Sequence, residues 1–151
     1  MEKVLVTGAT GYIALHCVQQ LLDQGYAVNG SIRSPERKNE VIEALKNSGT
    51  STENLNLYVF DLTNDEGWDD GMEGCDYLLH VASPLALENH TEDYFVKPAV
   101  AGAKRALKFA KKHGVKKVVL TSSVAAIFET GEEKVFYCLL YTSDAADDPA
   151  S

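Results

Sequence analysis

The chain has 151 residues, enough for one domain with a sizeable core, and 45% of them are hydrophobic types, a globular rather than a disordered composition. The 14 basic and 22 acidic side chains leave a net charge of −8, with no basic stripe to offset phosphate, which argues against broad nucleic-acid or anionic-membrane binding. No run reaches transmembrane length, the start MEKVLVTGATG reads as strand and turn rather than signal peptide, and Cys17, Cys75 and Cys138 stand singly; the expectation is a reduced, cytoplasmic protein.

Lys3 to Thr7 is a short run rich in β-branched residues and reads as a buried parallel strand. Gly8 to Gly11 forces a turn; Ile13, Cys17, Leu21 and Leu22 then recur at helical spacing until Gly25 stops the helix. The unit repeats: a strand over 27–32, a helix over 35–46 with Val41, Ile42 and Leu45 on one face, and a strand over 54–60. A short helix over 65–72, a strand over 76–80, a long helix over 91–113 closed by Gly114, and a fifth strand over 115–121 follow. Such alternation predicts an α/β fold, a doubly wound parallel sheet of Rossmann type with helices on both faces, ending after its fifth strand. A TIM barrel would need about 250 residues.

TGATGYIA places Gly8, Gly11 and Ala14 at G-x-x-G-x-x-G/A spacing between the first strand and helix. Gly8 allows the tight turn, Gly11 lets backbone approach a pyrophosphate, and Ala14 lets the helix pack closely on the sheet; the phosphates would meet free N–H groups at the helix start. A βα turn without a ligand is the plain alternative.

The end of the second strand decides between nicotinamide cofactors, because a carboxylate there binds the adenosine ribose and repels a 2′-phosphate. Here the stretch VNGSIRSPERK has no acid until Glu36 and instead offers Ser31, Arg33, Ser34, Arg37 and Lys38. Arg33 can pair bidentately with a 2′-phosphate, so NADP(H) is favoured and NAD(H) is the second choice, unless these are ordinary charges of a helix start. Asp61 after the third strand can accept from an adenine amino group, with Leu62 on the ring, or can cap the next helix. In HVASP, His80 reads as a satisfied buried histidine, while small Ala82 and Ser83 let backbone pass close to a cofactor. No residues have metal-ligand spacing.

In combination, VLVTGATGYIA, SIRSPERK, FDLTND, GCDYLLHVASP and VKPAVAGAKRALKFAKKHGVKKVVLTSSVAAI resemble the extended short-chain dehydrogenase/reductase superfamily, in its dihydroflavonol reductase-like, cinnamoyl-CoA reductase-like and 3β-hydroxysteroid dehydrogenase-like branch, over residues 2 to about 128. The resemblance implies that Gly8, Thr10, Gly11, Tyr12 and Ile13 form the dinucleotide loop, that Arg33 faces the NADP 2′-phosphate, and that Asp61 and Leu62 form the adenine site. It implies that Val81, Ala82 and Ser83 lie beside the nicotinamide ribose, that Val100 is on the helix lining the cofactor's underside, and that Ser123 is the catalytic serine, with Thr121 and Ser122 leading into it. Such a serine donates a hydrogen bond to the oxygen that gains charge during hydride transfer. A small-molecule carbonyl or alcohol substrate follows from the same resemblance, which also admits a homodimer of the full-length parent.

The family's proton donor is the tyrosine of a Tyr-x-x-x-Lys pair, and no such pair occurs in these 151 residues: Tyr137 is followed four positions later by Tyr141, and Tyr141 by Ala145. The last stretch, CLLYTSDAADD in 138–148, resembles a translated transposase adapter instead. The expectation is therefore an incomplete dinucleotide-binding domain over 1–137, with net charge −5, and a non-native or disordered tail over 138–151. On this reading the chain is a reductase fragment with little turnover and an exposed sheet edge. Two rival parents are an NAD-dependent sugar-nucleotide epimerase or dehydratase, against which the missing acid after the second strand counts, and a non-catalytic dinucleotide-binding regulator, against which Ser123 counts.

Overall fold

A computed structural model describes residues 1–84 and 92–123. The expected domain end at 137 and the tail over 138–151 lie outside them. The chain divides into two compact units, Met1–Thr121 and Ser122–Ser151; of the second, Ser122 and Ser123 are described, and both are exposed.

The first unit alternates strand and helix as its sequence periods require: β1 (Lys3–Val6), α1 (Tyr12–Asp23), β2 (Ala27–Ile32), α2 (Lys38–Asn47), β3 (Leu55–Val59), α3 (Trp68–Met72), β4 (Tyr77–His80), α4 (Glu92–Lys112) and β5 (Lys117–Leu120). All pairings are parallel, in the order β3-β2-β1-β4-β5. This is the doubly wound order, with its reversal between β1 and β4. Alternate residues of β1 serve opposite faces. Val4 and Val6 join a core with Ala14 and Val18 of α1 and Val41 and Leu45 of α2, while Leu5 joins Trp68, Met72, Leu78, Ala106 and Phe109 beneath α3 and α4.

Two expected helix starts shift. Pro35–Arg37 is one 3₁₀ turn ahead of α2, since proline fits a helix start and removes a donor there. The helix expected from 65 begins at Trp68, because Gly67 adopts φ 74 and a Cβ there would lie 2.6 Å from the Val59 carbonyl oxygen. On β5, Val119 and Leu120 are each 51% exposed, an apolar edge among the described residues.

Candidate functional site

At the carboxyl ends of β1 and β4 the strand order reverses and opens a crevice, the place where ligands bind in open α/β sheets. Among the described residues, the stretches 7–11, 33–37, 60–67 and 81–84 meet this end of the sheet, as does Thr121 after β5.

The first carries the glycine turn. Gly8 has φ 72, and a Cβ on it would sit 3.0 Å from the Cβ of Ala82, so both the backbone conformation and the neighbouring loop demand glycine. Its N–H donates to Ser31 Oγ at 2.8 Å, and the Ala9 N–H donates to the Ser31 carbonyl at 2.7 Å. Ser31 is buried and committed to shaping this loop, rather than presented outward with Arg33 as the sequence suggested. Gly11 begins α1 in extended conformation with no side-chain cap, and the helix's first turn holds no acid. The N–H groups of that turn therefore face the crevice end without a carboxylate competing for them, which is what an anion requires. Ala14 is buried against the sheet, Thr10 is half-buried, and Tyr12 and Ile13 are exposed.

The β4 end is tied to this turn by a hydrogen-bond network that sequence reading missed. Thr7 Oγ1 accepts the N–H groups of Val81 and Ala82, both at 3.0 Å, and lies 3.0 Å from Nδ1 of His80. The two accepted hydrogens occupy both hydroxyl lone pairs, so the hydroxyl's own hydrogen goes to Nδ1; the network thus assigns His80 as neutral, with its hydrogen on Nε2. Burial acts in the same direction and lowers the imidazole pKa below its usual 6.5. His80 is the satisfied buried histidine expected from HVASP. Val81 and Ala82 are half-buried and Ser83 is exposed.

At the end of β2, Arg33 is exposed and makes no hydrogen bond or ion pair with the described residues, whereas Arg37 is bound to Glu40 one helical turn on, at 2.8 Å. Lys38 is exposed. After β3, Asp61 does not cap α3, whose N-cap is Gly67; its Oδ1 accepts from the N–H and the hydroxyl of Thr63 at 2.8 and 2.7 Å. Partial burial pushes the Asp61 carboxyl up, but these two bonds and the charges of Arg33 and Arg105 outweigh it and hold the pKa below the usual value. Leu62 is half-buried and seats on Gly102 of α4, where a Cβ would come within 3.1 Å of it. Val100 on α4 is 45% exposed. Thr121 is exposed and its N–H donates to the His80 carbonyl at 3.0 Å, so the start of the β5 connection is tied to β4. Ser123 is exposed and belongs to the second unit. The described residues contain no group of three or more His, Cys, Asp or Glu able to hold a metal ion, and no helix among them is long and apolar enough to cross a membrane.

Residues 4–143 match the model of this fold's NAD dependent epimerase/dehydratase family, a stretch that reaches into the 138–151 segment. The chain belongs to that family. Among its relatives, cinnamoyl-CoA reductase 2 of Arabidopsis thaliana is 40% identical over 128 residues, covering 84% of this chain and 37% of that enzyme. Dihydroflavonol 4-reductase of Solanum lycopersicum is 35% identical over 136 residues, covering 89% and 36%. Among solved structures, a yeast methylglyoxal/isovaleraldehyde reductase complexed with NADPH superposes with a TM-score of 0.75 at 34% identity, covering 87% of this chain and 40% of that one. Vestitone reductase from alfalfa gives 0.71 at 32%, covering 89% and 40%. This family member therefore has the NAD(P)-binding fold of reductases and spans well under half the length of the relatives it matches.

Proposed function

We propose that this chain is the dinucleotide-binding part of an NADP(H)-dependent reductase that interconverts a ketone or aldehyde with its alcohol. The observation that carries the reading is the β1–β4 reversal: an uncapped helix start without acid lies beside a glycine turn in which a side chain at Gly8 would be strained in backbone and crowded by Ala82. The residues fit the group. Gly8, Thr10, Gly11, Tyr12 and Ile13 would hold the pyrophosphate, Asp61 and Leu62 the adenine, and Val81, Ala82 and Ser83 the nicotinamide end. Arg33, without a described protein partner, would take the 2′-phosphate, with Lys38 adding positive charge and Arg37 a lesser contribution because Glu40 already holds it. The absence of any acid before Glu36 after β2, and the NADPH complex of the yeast relative, support NADP(H) over NAD(H).

When bound, the nicotinamide supplies hydride chemistry. Ser123, led into by Thr121 and Ser122, would donate a hydrogen bond to the carbonyl oxygen as it gains charge. Because these 151 residues hold no Tyr-x-x-x-Lys, the stretch supplies no proton donor of that kind, and turnover by this chain alone should fall by roughly 10²–10⁴-fold.

Calorimetry on the 151-residue chain tests the reading. NADPH is expected to bind more tightly than NADH, and Arg33→Ala should weaken NADPH by about tenfold or more, the scale of a charge-assisted hydrogen bond, while sparing NADH. Preference for NADH, with no response to Arg33→Ala, would overturn the NADP assignment. Binding of neither would overturn the whole reading.

A further inference from the structure

The 61–65 turn is held from two sides, by Trp68 just beyond it and by Arg105 of α4, about 40 residues away. The carbonyl of Asp61 accepts the indole N–H of buried Trp68 at 2.9 Å. The carbonyl of Leu62 accepts Nη1 of Arg105, from α4, and Nε of the same guanidinium donates to Asp65 Oδ1 at 2.5 Å. The Arg105 side chain is only 18% exposed, so its fork is committed to this turn rather than waving in solvent. Oδ1 of Asp61 is taken by Thr63, which leaves Oδ2 as the carboxylate oxygen with no hydrogen-bond partner among the described residues. Gly102 beneath Leu62 lets α4 approach closely enough for the grip.

An ionised carboxylate only accepts hydrogen bonds. A fixed, unpaired oxygen of this kind accepts an amino group and is repelled by a carbonyl at the same place. Adenine offers an exocyclic amine there; hypoxanthine offers a carbonyl. We infer that Arg105 is a positioning residue for base recognition: by gripping the Leu62 carbonyl and Asp65 from α4, it fixes Asp61 so that the site selects adenine over hypoxanthine in its dinucleotide. This deepens the proposed function and rests on it. Arg105 itself would touch no part of the ligand, and its charge also helps to keep the Asp61 carboxyl ionised.

The experiment compares NADPH with its deamino analogue, in which hypoxanthine replaces adenine, by calorimetry on the 151-residue chain. The unaltered chain should prefer NADPH by about tenfold, the scale of one hydrogen bond to a charged group. Arg105→Met should collapse that ratio to about threefold or less. Lys108→Met, which loses the other contact to Asp65 but leaves the Leu62 carbonyl held, should retain it. Arg105→Lys, which keeps the charge without the fork, serves if the methionine variant does not fold and should give an intermediate ratio. A purely structural role would weaken both ligands equally, and an unchanged ratio in a folded Arg105 variant overturns the inference. If the unaltered chain binds neither ligand, the dinucleotide reading fails instead. Carbon-13 NMR of the free chain then still decides the anchoring: the Asp61 carboxyl should titrate higher in Arg105→Met, and an unmoved titration overturns it.

Discussion

On one face of the sheet, the fully buried side chains of the core under α1 and α2 are all aliphatic, from Val4 and Val6 through Ala14 and Val18 to Val41 and Leu45. On the other, Trp68 lies stacked on Phe109 at 5.7 Å and tilted against Phe60 at 4.6 Å, with ion pairs from Asp65 and Asp69 to α4 along the rim. The aliphatic face offers packing alone. The aromatic face also orients backbone: the indole N–H that satisfies Trp68 is the same bond that fixes the Asp61 carbonyl. Away from the start of α1, stability and site geometry are thus separable on the first face, whereas on the second they are joined by the same bonds.

Substitutions on the two faces test that contrast. Trp68→Ala should have the largest effect, about 4 kcal/mol of stability by chemical denaturation. It should also weaken NADPH binding in whatever fraction remains folded, since the turn loses an anchor. Leu45→Ala, in the aliphatic core, should cost about 3 kcal/mol with NADPH affinity unchanged in the folded chain. If the leucine variant lost affinity as the tryptophan variant does, the two faces would not differ in the way described.

Acid should act next, through His80. Its pKa is lowered in the folded state, so between the two values the unfolded chain binds the extra proton and folding does not. The stability this group allows is full above its ordinary 6.5 and is lost as pH falls from there through the folded pKa. Denaturant midpoints measured from pH 7 down to about 5.5, above the range where carboxylates titrate, should therefore decline. His80→Asn keeps an acceptor for the Thr7 hydroxyl without the titration and should flatten that slope; an equal slope in the variant would remove His80 from the account. The smallest effect belongs to the rim. Lys112→Met breaks a pair whose partners are both half exposed, and the midpoint should barely move, whereas a large drop would mean that charge and not aromatic packing holds α4.

Much of the fold was legible because it is written at short range. β2 over Ala27–Ile32 was readable to the residue, and the α2 face carrying Val41 and Leu45 follows from spacing alone. The α1 face is less legible: spacing points to Ile13, Cys17, Leu21 and Leu22, whereas the helix buries Ala14 and Val18, leaves Ile13 exposed and half-buries the other three. The start of α3 was not, because Asp65 and Glu66 suit a helix while the positive φ of Gly67 is set by contact with β3. In the site, the glycine turn and the missing acid after β2 were visible. The inward commitment of Ser31 was hidden, although polar Asn29 and Ser31 alternating in a buried strand signal that each needs a partner inside.

By itself, the sequence determined the alternation of strand and helix, the glycine turn at Gly8, and the family to which these motifs point. Those are properties of neighbouring residues, set by backbone sterics and by which face of each element is apolar. Only the tertiary structure decided the strand order, the neutral state of His80 against Thr7, 73 residues away, and the grip of Arg105 on the Leu62 carbonyl, 43 residues away. A hydrogen bond needs its donor and acceptor within about 3 Å, and no local pattern records which distant group will fill that place.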